Sequence, residues 1–335
     1  MNFNIDLPKK LNKINYFVKN ENGCELYSYN PQNNDVYIIA SYPEMEIEKD
    51  FAITDSTLLA IAKLQPGVDV KLNEKSIVAV SKKGRYTGKY VDPIFIQPNM
   101  NYEHNYPVDL DILNKAANFS SATDKKPVLT GVNINTNGDI TATDGFKVYF
   151  CKGENGNEKN ANSITISSSL IKVAYSIFDN KLLFIEYNKN TVSFTFENVK
   201  VIGRLLEGNY PSLANIFSML DSVEKQKINK EEILECLDFT KMTGANSKLK
   251  DLGLYAILQE NKFLGKSDET FEKEITYHGG EIIFDANYLE LVLKSFKTNN
   301  VEIATRESGK GSLACFTEEN NVKEKVVLLG IAKEI

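Results

Sequence analysis

The chain has 335 residues, 42% of them hydrophobic and 25% charged, with a formal net charge of −6 at pH 7. Such a length carries two or three domains with cores of their own, and an acidic balance excludes a general electrostatic nucleic-acid binder, so any phosphate contact needs a local basic face. No apolar run approaches the roughly 20 residues that cross a bilayer, and the opening MNFNIDLPKKLNKI has no apolar signal core.

Four cysteines, Cys24, Cys151, Cys236 and Cys315, lie far apart without a CxxC pair. They read as reduced cytoplasmic thiols, with no metal or other cofactor implied. In chain order, Leu11-Asn12-Lys13 echoes the later helix segment Leu113-Asn114-Lys115, and CELYSY and DVYIIA (24–40) alternate as strands. The run 51–91 then opens with a short strand and a polar cap at Asp55/Ser56. It continues as a helix through Leu58, Leu59, Ile61 and Ala62 and ends in strands. Residues 102–106 form a polar connector before Pro107.

The middle third begins with a helix over DLDILNKAANF (109–119). A hairpin follows over 127–150: VLTGVNI, a tight turn at Asn137-Gly138, then DITAT. A second turn at Thr143-Asp144-Gly145 leads into FKVYF. Residues 164–206 repeat the 51–91 pattern, with the cap at Ser167/Ser168 and a helix through Leu170, Ile171, Val173 and Ala174. A second polar connector is expected over 214–228. The last third supplies a helix (KEEILECLDFTKM), a hairpin (251–267), and a third copy over 281–331. That copy is capped at Asp285 and carries Leu289, Leu291, Val292 and Leu293.

The chain is therefore three units of about 110 residues, each a doubled helix-plus-strands motif, in an α+β architecture. The expected domains are 1–104 (shortened), 105–221 and 222–335. Units this large own their cores, so edge-to-edge sheet contact can join them where a solenoid would need stacking.

The ordered combination LTGV…TDGFKV…RLLEGNYP, the last at Arg204–Pro211, resembles the middle domain of the bacterial β sliding clamp family, the processivity subunit of DNA polymerase III. The resemblance covers nearly the whole chain and is strongest over 105–216. It implies a head-to-tail dimeric ring of six similar domains, sheets outside and helices inside, around duplex DNA. It implies no catalysis, and partners in a replicative polymerase and a clamp loader. The chain departs from the family at Gly330, where the family usually has proline, and in running on to Ile335.

The resemblance implies three surfaces. The first is a partner-peptide pocket walled by Leu129, Thr143, Gly145, Phe146, Lys147, Val148, Pro211, Asn215 and Ile216, with Leu249, Tyr288, Leu328, Leu329 and Ile331. An apolar cleft of this kind anchors Leu and Phe side chains of a short peptide. Leu129, Val148 and Leu328 suit a core equally well, and Gly145 and Pro211 suit turn geometry; Phe146 follows a turn at an exposed position. The second is a DNA-facing set on or beside the helices: Lys9, Lys10, Lys13, Lys115, Lys125, Lys126, Lys248 and Lys250. Lysines give phosphate contact without base readout. Ser168 and Ser169 stand where the family has basic residues. The third is the subunit interface, with Lys82, Lys83, Arg85 and Tyr86 on one edge strand and Asp268, Glu269, Glu272 and Glu274 on another. Opposite charge at opposite ends suits head-to-tail closure.

Two other classes remain open on sequence: a repeat-built protein-binding module that closes no ring, and a nucleic-acid enzyme with a carboxylate site. His104 and His278 fall in connector or turn settings, no HExxH, GxSxG or P-loop occurs, and Asp139 and Asp144 read as turn residues.

Overall fold

Alternating apolar runs become strands and capped apolar runs become helices in a computed structural model that describes residues 2–3, 7–32, 36–93, 95, 97–123, 125–153, 162–179, 182–244, 254–266, 269–308, 311–319, 321 and 323–331. The elements are β1 (Asn2–Phe3), β2 (Ile14–Asn20), β3 (Gly23–Tyr29), β4 (Val36–Tyr42), β5 (Phe51–Thr54), α1 (Asp55–Lys63), β6 (Val68–Leu72), β7 (Ser76–Ser81), β8 (Gly84–Lys89), β9 (His104–Asp109), α2 (Leu110–Ala117), a 3-10 turn (Pro127–Thr130), β10 (Gly131–Ile134), β11 (Ile140–Thr143), β12 (Lys147–Cys151), β13 (Ile164–Ser167) and α3 (Ser168–Phe178). They continue with β14 (Leu182–Tyr187), β15 (Thr191–Phe196), β16 (Val199–Arg204), α4 (Ala214–Leu220), β17 (Lys225–Asn229), α5 (Lys230–Gly244), β18 (Tyr255–Gln259), β19 (Lys262–Lys266), β20 (Thr270–Glu274), β21 (Ile282–Asp285), α6 (Ala286–Ser295), β22 (Asn300–Ser308), β23 (Gly311–Glu318) and β24 (Glu324–Leu329).

Among the described residues, the order strand–helix–three strands occurs five times. In the sixth copy, β1 to β4, no helix is described. The Leu11-Asn12-Lys13 segment, read as a helix echo, packs on strands instead. The Asn12 N–H donates to Ser28 Oγ (2.6 Å), and its amide donates to the Ser28 and Val36 carbonyls (3.1 and 3.2 Å). Helix caps follow the sequence with one shift. Ser167 and Asp285 accept N–H bonds from Leu170 and from Asn287 and Tyr288, but in α1 the cap is Thr54, with Asp55 already inside the first turn.

Contacts divide the chain into two compact units, Met1–Ala117 with Thr165–Glu207, and Asn118–Ile164 with Gly208–Ile335. In the first unit the long sheet runs β5-β2-β3-β4-β16-β15-β14-β9, and a smaller one runs β1-β6-β7-β8. Its core gathers Phe17, Leu26, Phe51, Leu58, Ile61, Val68 and Ile77, with Phe17 and Phe51 stacked at 4.8 Å. On the other face of the long sheet, Tyr27, Tyr29, Tyr37, Ile39 and Ile202 form a second cluster. Phe95 sits among those rings, 4.8 Å from Tyr27 and 5.3 Å from Tyr16.

In the second unit a sheet runs β10-β11-β12-β24-β23-β22-β17, beside a smaller sheet β20-β19-β18-β21. Two segments read as polar connectors are regular structure. Residues 104–109 form β9, antiparallel to β14. Residues 214–220 form α4, because Leu213, Ile216, Phe217 and Leu220 pack on Val148, Ala304, Cys315 and Val327. The polar residues Asn215 and Ser218 between them masked that spacing. No described helix is long and apolar enough to cross a membrane.

Candidate functional site

The β11–β12 turn at Thr143–Phe146 is built by its own side chains. Thr143 is buried; its Oγ1 donates to the Lys147 carbonyl (2.7 Å) and accepts from Gly145 N (3.0 Å). Asp144 Oδ1 accepts from the N–H groups of Phe146 and Lys147 (2.9 and 3.0 Å). Gly145 has φ 97°, the left-handed region where a side chain is strained. The loop is thereby rigid, and it holds Phe146 outward with 58% of its surface exposed.

Lys147 points the other way. It is 5% exposed, pairs through Nζ with Asp144, and lies 4.7 Å from the Tyr288 ring centre. A buried lysine persists only when paired, and the aromatic face adds cation–π attraction. Burial, then the Asp144 charge, raises the Tyr288 hydroxyl pKa. The Tyr210 hydroxyl accepts from Thr143 N (2.9 Å), tying the RLLEGNYP segment to the turn; burial pushes its pKa up as well.

Directly beyond, Val148 stands opposite Val327 in the β12–β24 register. Both are buried beside Cys315, and the half-buried Ile216, Phe217 and Leu313 lie at the border of the cluster. Leu129 is half-buried in the 3-10 turn rather than in a strand. Leu328 is fully buried, so its side chain belongs to the core. Leu329 and Ile331 are half-buried, and their N–H groups donate to Phe146 O and Ile283 O (both 2.8 Å). Pro211 and Asn215 are exposed. Gly330 N donates to Ser312 O (2.6 Å), a bond no proline could make. Leu249 lies outside the described residues.

Within this one unit, then, an exposed aromatic, a set of half-buried apolar residues and a rigid charged turn occur on adjoining elements. Such a surface can seat an apolar side chain of a peptide. Sequence reasoning missed Asp144 as a charge partner, Tyr210, Phe217 and Val327. Strand pairing opposite Val148 was the signal for Val327.

Of the basic set, Lys125 and Lys126 are exposed ahead of the 3-10 turn. Lys9, Lys10 and Lys13 precede β2 and stand on no helix, a correction that follows from the Asn12 bonds. Lys9 pairs with Asp179 just past α3 (2.5 Å), and Lys13 donates to Gln32 (3.1 Å). Lys115 is largely covered, 4.0 Å from Asp111. Lys172 on α3, passed over in the sequence, is exposed. Lys248 and Lys250 lie outside the described residues.

The edge readings have clear positions. Arg85 and Tyr86 lie on β8, the last strand of its small sheet, with Lys82 and Lys83 at the turn before it. The Tyr86 hydroxyl is 3.3 Å from Thr57 Oγ1. Glu272 and Glu274 lie on β20, the edge of the other small sheet, and Glu272 pairs with Lys262 (2.6 Å). Glu269 is exposed just before β20; Asp268 lies outside the described residues. Phe239 of α5 stacks on Phe271 of β20 at 5.1 Å and stays 44% exposed, an apolar element of that edge.

A family profile described as DNA polymerase III beta subunit, central domain, matches residues 111–212. The Beta sliding clamp of Synechocystis sp. is 26% identical over 222 residues, covering 58% of this chain and 57% of that protein. The alignment thus spans little more than half of that relative's length. The Beta sliding clamp of Staphylococcus aureus is 27% identical over 265 residues, covering 72% of this chain and 70% of its own. Among solved structures, a putative DNA polymerase III beta subunit from Eubacterium rectale superposes with TM-score 0.80 at 15% identity, over 95% of this chain and 91% of that one. The DNA polymerase sliding clamp of Bacillus subtilis gives 0.79 at 18% identity, over 96% and 91%. Residues 111–212 are thus similar to the DNA polymerase III beta subunit central domain, and the chain is similar in sequence to bacterial β sliding clamps and shares the fold of the solved clamp structures.

Proposed function

We propose that this chain is a DNA sliding clamp, a processivity factor without catalytic activity. Two copies close head to tail into a ring around duplex DNA, and polymerase and clamp loader dock on it through short apolar peptides. The observation that carries the reading is the agreement of a central-domain family match with a clamp fold over 95% of the chain. The domains are then 1–104, 105–221 and 222–335. Head-to-tail closure brings the Arg85/Tyr86 edge to the Glu272/Glu274 edge, which are basic and acidic as such a contact requires. The turn at Phe146 with Val148, Val327 and Ile216 receives the peptide. Exposed Lys125, Lys126 and Lys172 meet phosphates, giving sequence-blind, salt-sensitive contact.

Light scattering over a concentration series tests the assembly. The expected mass is twice 37.7 kDa, falling to the monomer on dilution and more readily with Tyr86→Ala. Dimers should remain on nicked circular DNA and run off after linearisation. Equal loss from both forms overturns the ring.

A further inference from the structure

The first unit carries an apolar patch that the reading above does not use. Leu182 and Phe184 alternate on β14 and are 79% and 61% exposed, while Leu183 and Ile185 between them are buried. In the β9–β14 register Phe184 faces Pro107 and Glu186 faces Asn105, and Pro107 and Asn105 are exposed too. On the other side Phe184 faces Thr195 of β15. This is the face on which Phe95 caps the tyrosine cluster and Thr191 Oγ1 donates to Asn99 O (3.2 Å). That cover stops short of Leu182 and Phe184.

The chain contains its own control. In the second unit β17 and β22 hold the positions of β9 and β14, each edge strand running directly into a helix, α5 or α2. Aligned through Val108–Leu183 and Ile228–Val301, the pair Pro107–Phe184 corresponds to Lys227–Glu302, and Leu182 corresponds to Asn300. There the surface is polar and internally paired. Lys225 bonds Glu302 (2.7 Å), and Lys227 bonds Glu319 (2.5 Å). The same architecture is thus complete with charged residues at these places. Aromatic and aliphatic side chains in water confer nothing on the fold there, since burial is what makes them stabilising.

A cleft of about 480 Å³ borders the patch, lined by Leu182, Phe184, Phe196, Glu186, Glu197 and Lys200 among others. Its volume is that of a small-ligand or side-chain site. Glu186 and Glu197 form no ion pair with another described residue. Two carboxylates against one ammonium leave the rim acidic. Strand addition at β9 is blocked at Pro107, which has no N–H to offer.

The geometry points to a second docking site, distinct from the β11–β12 turn. Its occupant is a short segment of a protein partner that presents a bulky apolar side chain beside lysine or arginine. The apolar side chain enters the cleft over Phe184 and Leu182, and the cation meets Glu186 and Glu197. Nothing in this step depends on ring formation.

The test is a displayed library of random peptides about twelve residues long, selected on the whole wild-type chain. Enriched sequences should pair a bulky apolar residue with a basic neighbour. They should bind at least about tenfold more weakly to Leu182→Glu/Phe184→Glu and to Glu186→Lys/Glu197→Lys, and equally well to Phe146→Ala. Leu182, Phe184 and Glu197 are exposed and Glu186 is half-buried, so circular dichroism and melting should match the wild type; the rim variant leaves the apolar pair intact and checks the result independently. The idea fails if no peptide is enriched, if the peptides bind the patch variants unchanged, or if they respond only to Phe146→Ala. It fails equally if the wild type self-associates through the patch, detected as a mass that drops in Phe184→Glu, because the occupant is then another copy.

Discussion

At the scale of single residues, the Phe146 turn separates two roles that the sequence presents side by side. Phe146 is exposed and Lys147 is buried, though they are neighbours. Phe146→Ala should leave stability within about 0.5 kcal/mol of wild type. It should weaken a Leu/Phe peptide by about tenfold or more, as truncating an anchor does; calorimetric titration measures this, and unchanged affinity removes Phe146 from the site. Lys147→Met should behave in the opposite way. It strands the Asp144 carboxylate in a covered position, which costs on the order of 3–5 kcal/mol in urea unfolding. Sequence alone placed Phe146 at the surface because a residue after a TDG turn points outward. It could not separate Lys147 from a solvated lysine, since Tyr288, whose ring covers it, lies far along the chain on α6.

At the scale of elements, the strands were legible because one face of each sheet is buried, which enforces period-two alternation. Legibility failed where another influence set the conformation. At Leu11–Lys13, bonds from the Asn12 side-chain amide to β3 and β4 replace helix bonds. At 214–220, about two turns of apolar spacing are interrupted by Asn215 and Ser218, and the helix exists because Val148 and Val327 offer it a surface. The α5–β19 contact shows how close such packing runs. A Cβ on Gly265 would fall 1.9 Å from Thr240 Oγ1, and Thr240 is buried with its hydroxyl donating to Cys236 O (2.8 Å). Gly265→Ala should therefore cost about 1–3 kcal/mol by forcing helix and strand apart. Adding Thr240→Ala should restore part of that; no recovery in the double variant would place the strain elsewhere.

At the scale of the whole molecule, burial raises many acidic protons together. It pushes the Cys24 thiol up to about 12 and the Cys236 and Cys315 thiols up to about 11, from an ordinary 9.0. The folded chain keeps these protons where the unfolded chain releases them. Their contribution is complete below pH 9.0 and is lost progressively as pH rises through 11, so stability falls with pH across that window. Urea midpoints measured between pH 8 and 11 check the slope; a flat profile contradicts it. The strand pairings β4–β16 and β12–β24 reach further still. They draw strands from successive sequence repeats into single sheets, so each compact unit takes part of the middle repeat. The period at which this sequence duplicates and the period at which it holds together are therefore out of phase. A gene fragment cut at a repeat boundary would inherit β4 or β24 as a bare, sticky margin, and exchange between related genes should be tolerated only when both sides of such a seam travel together.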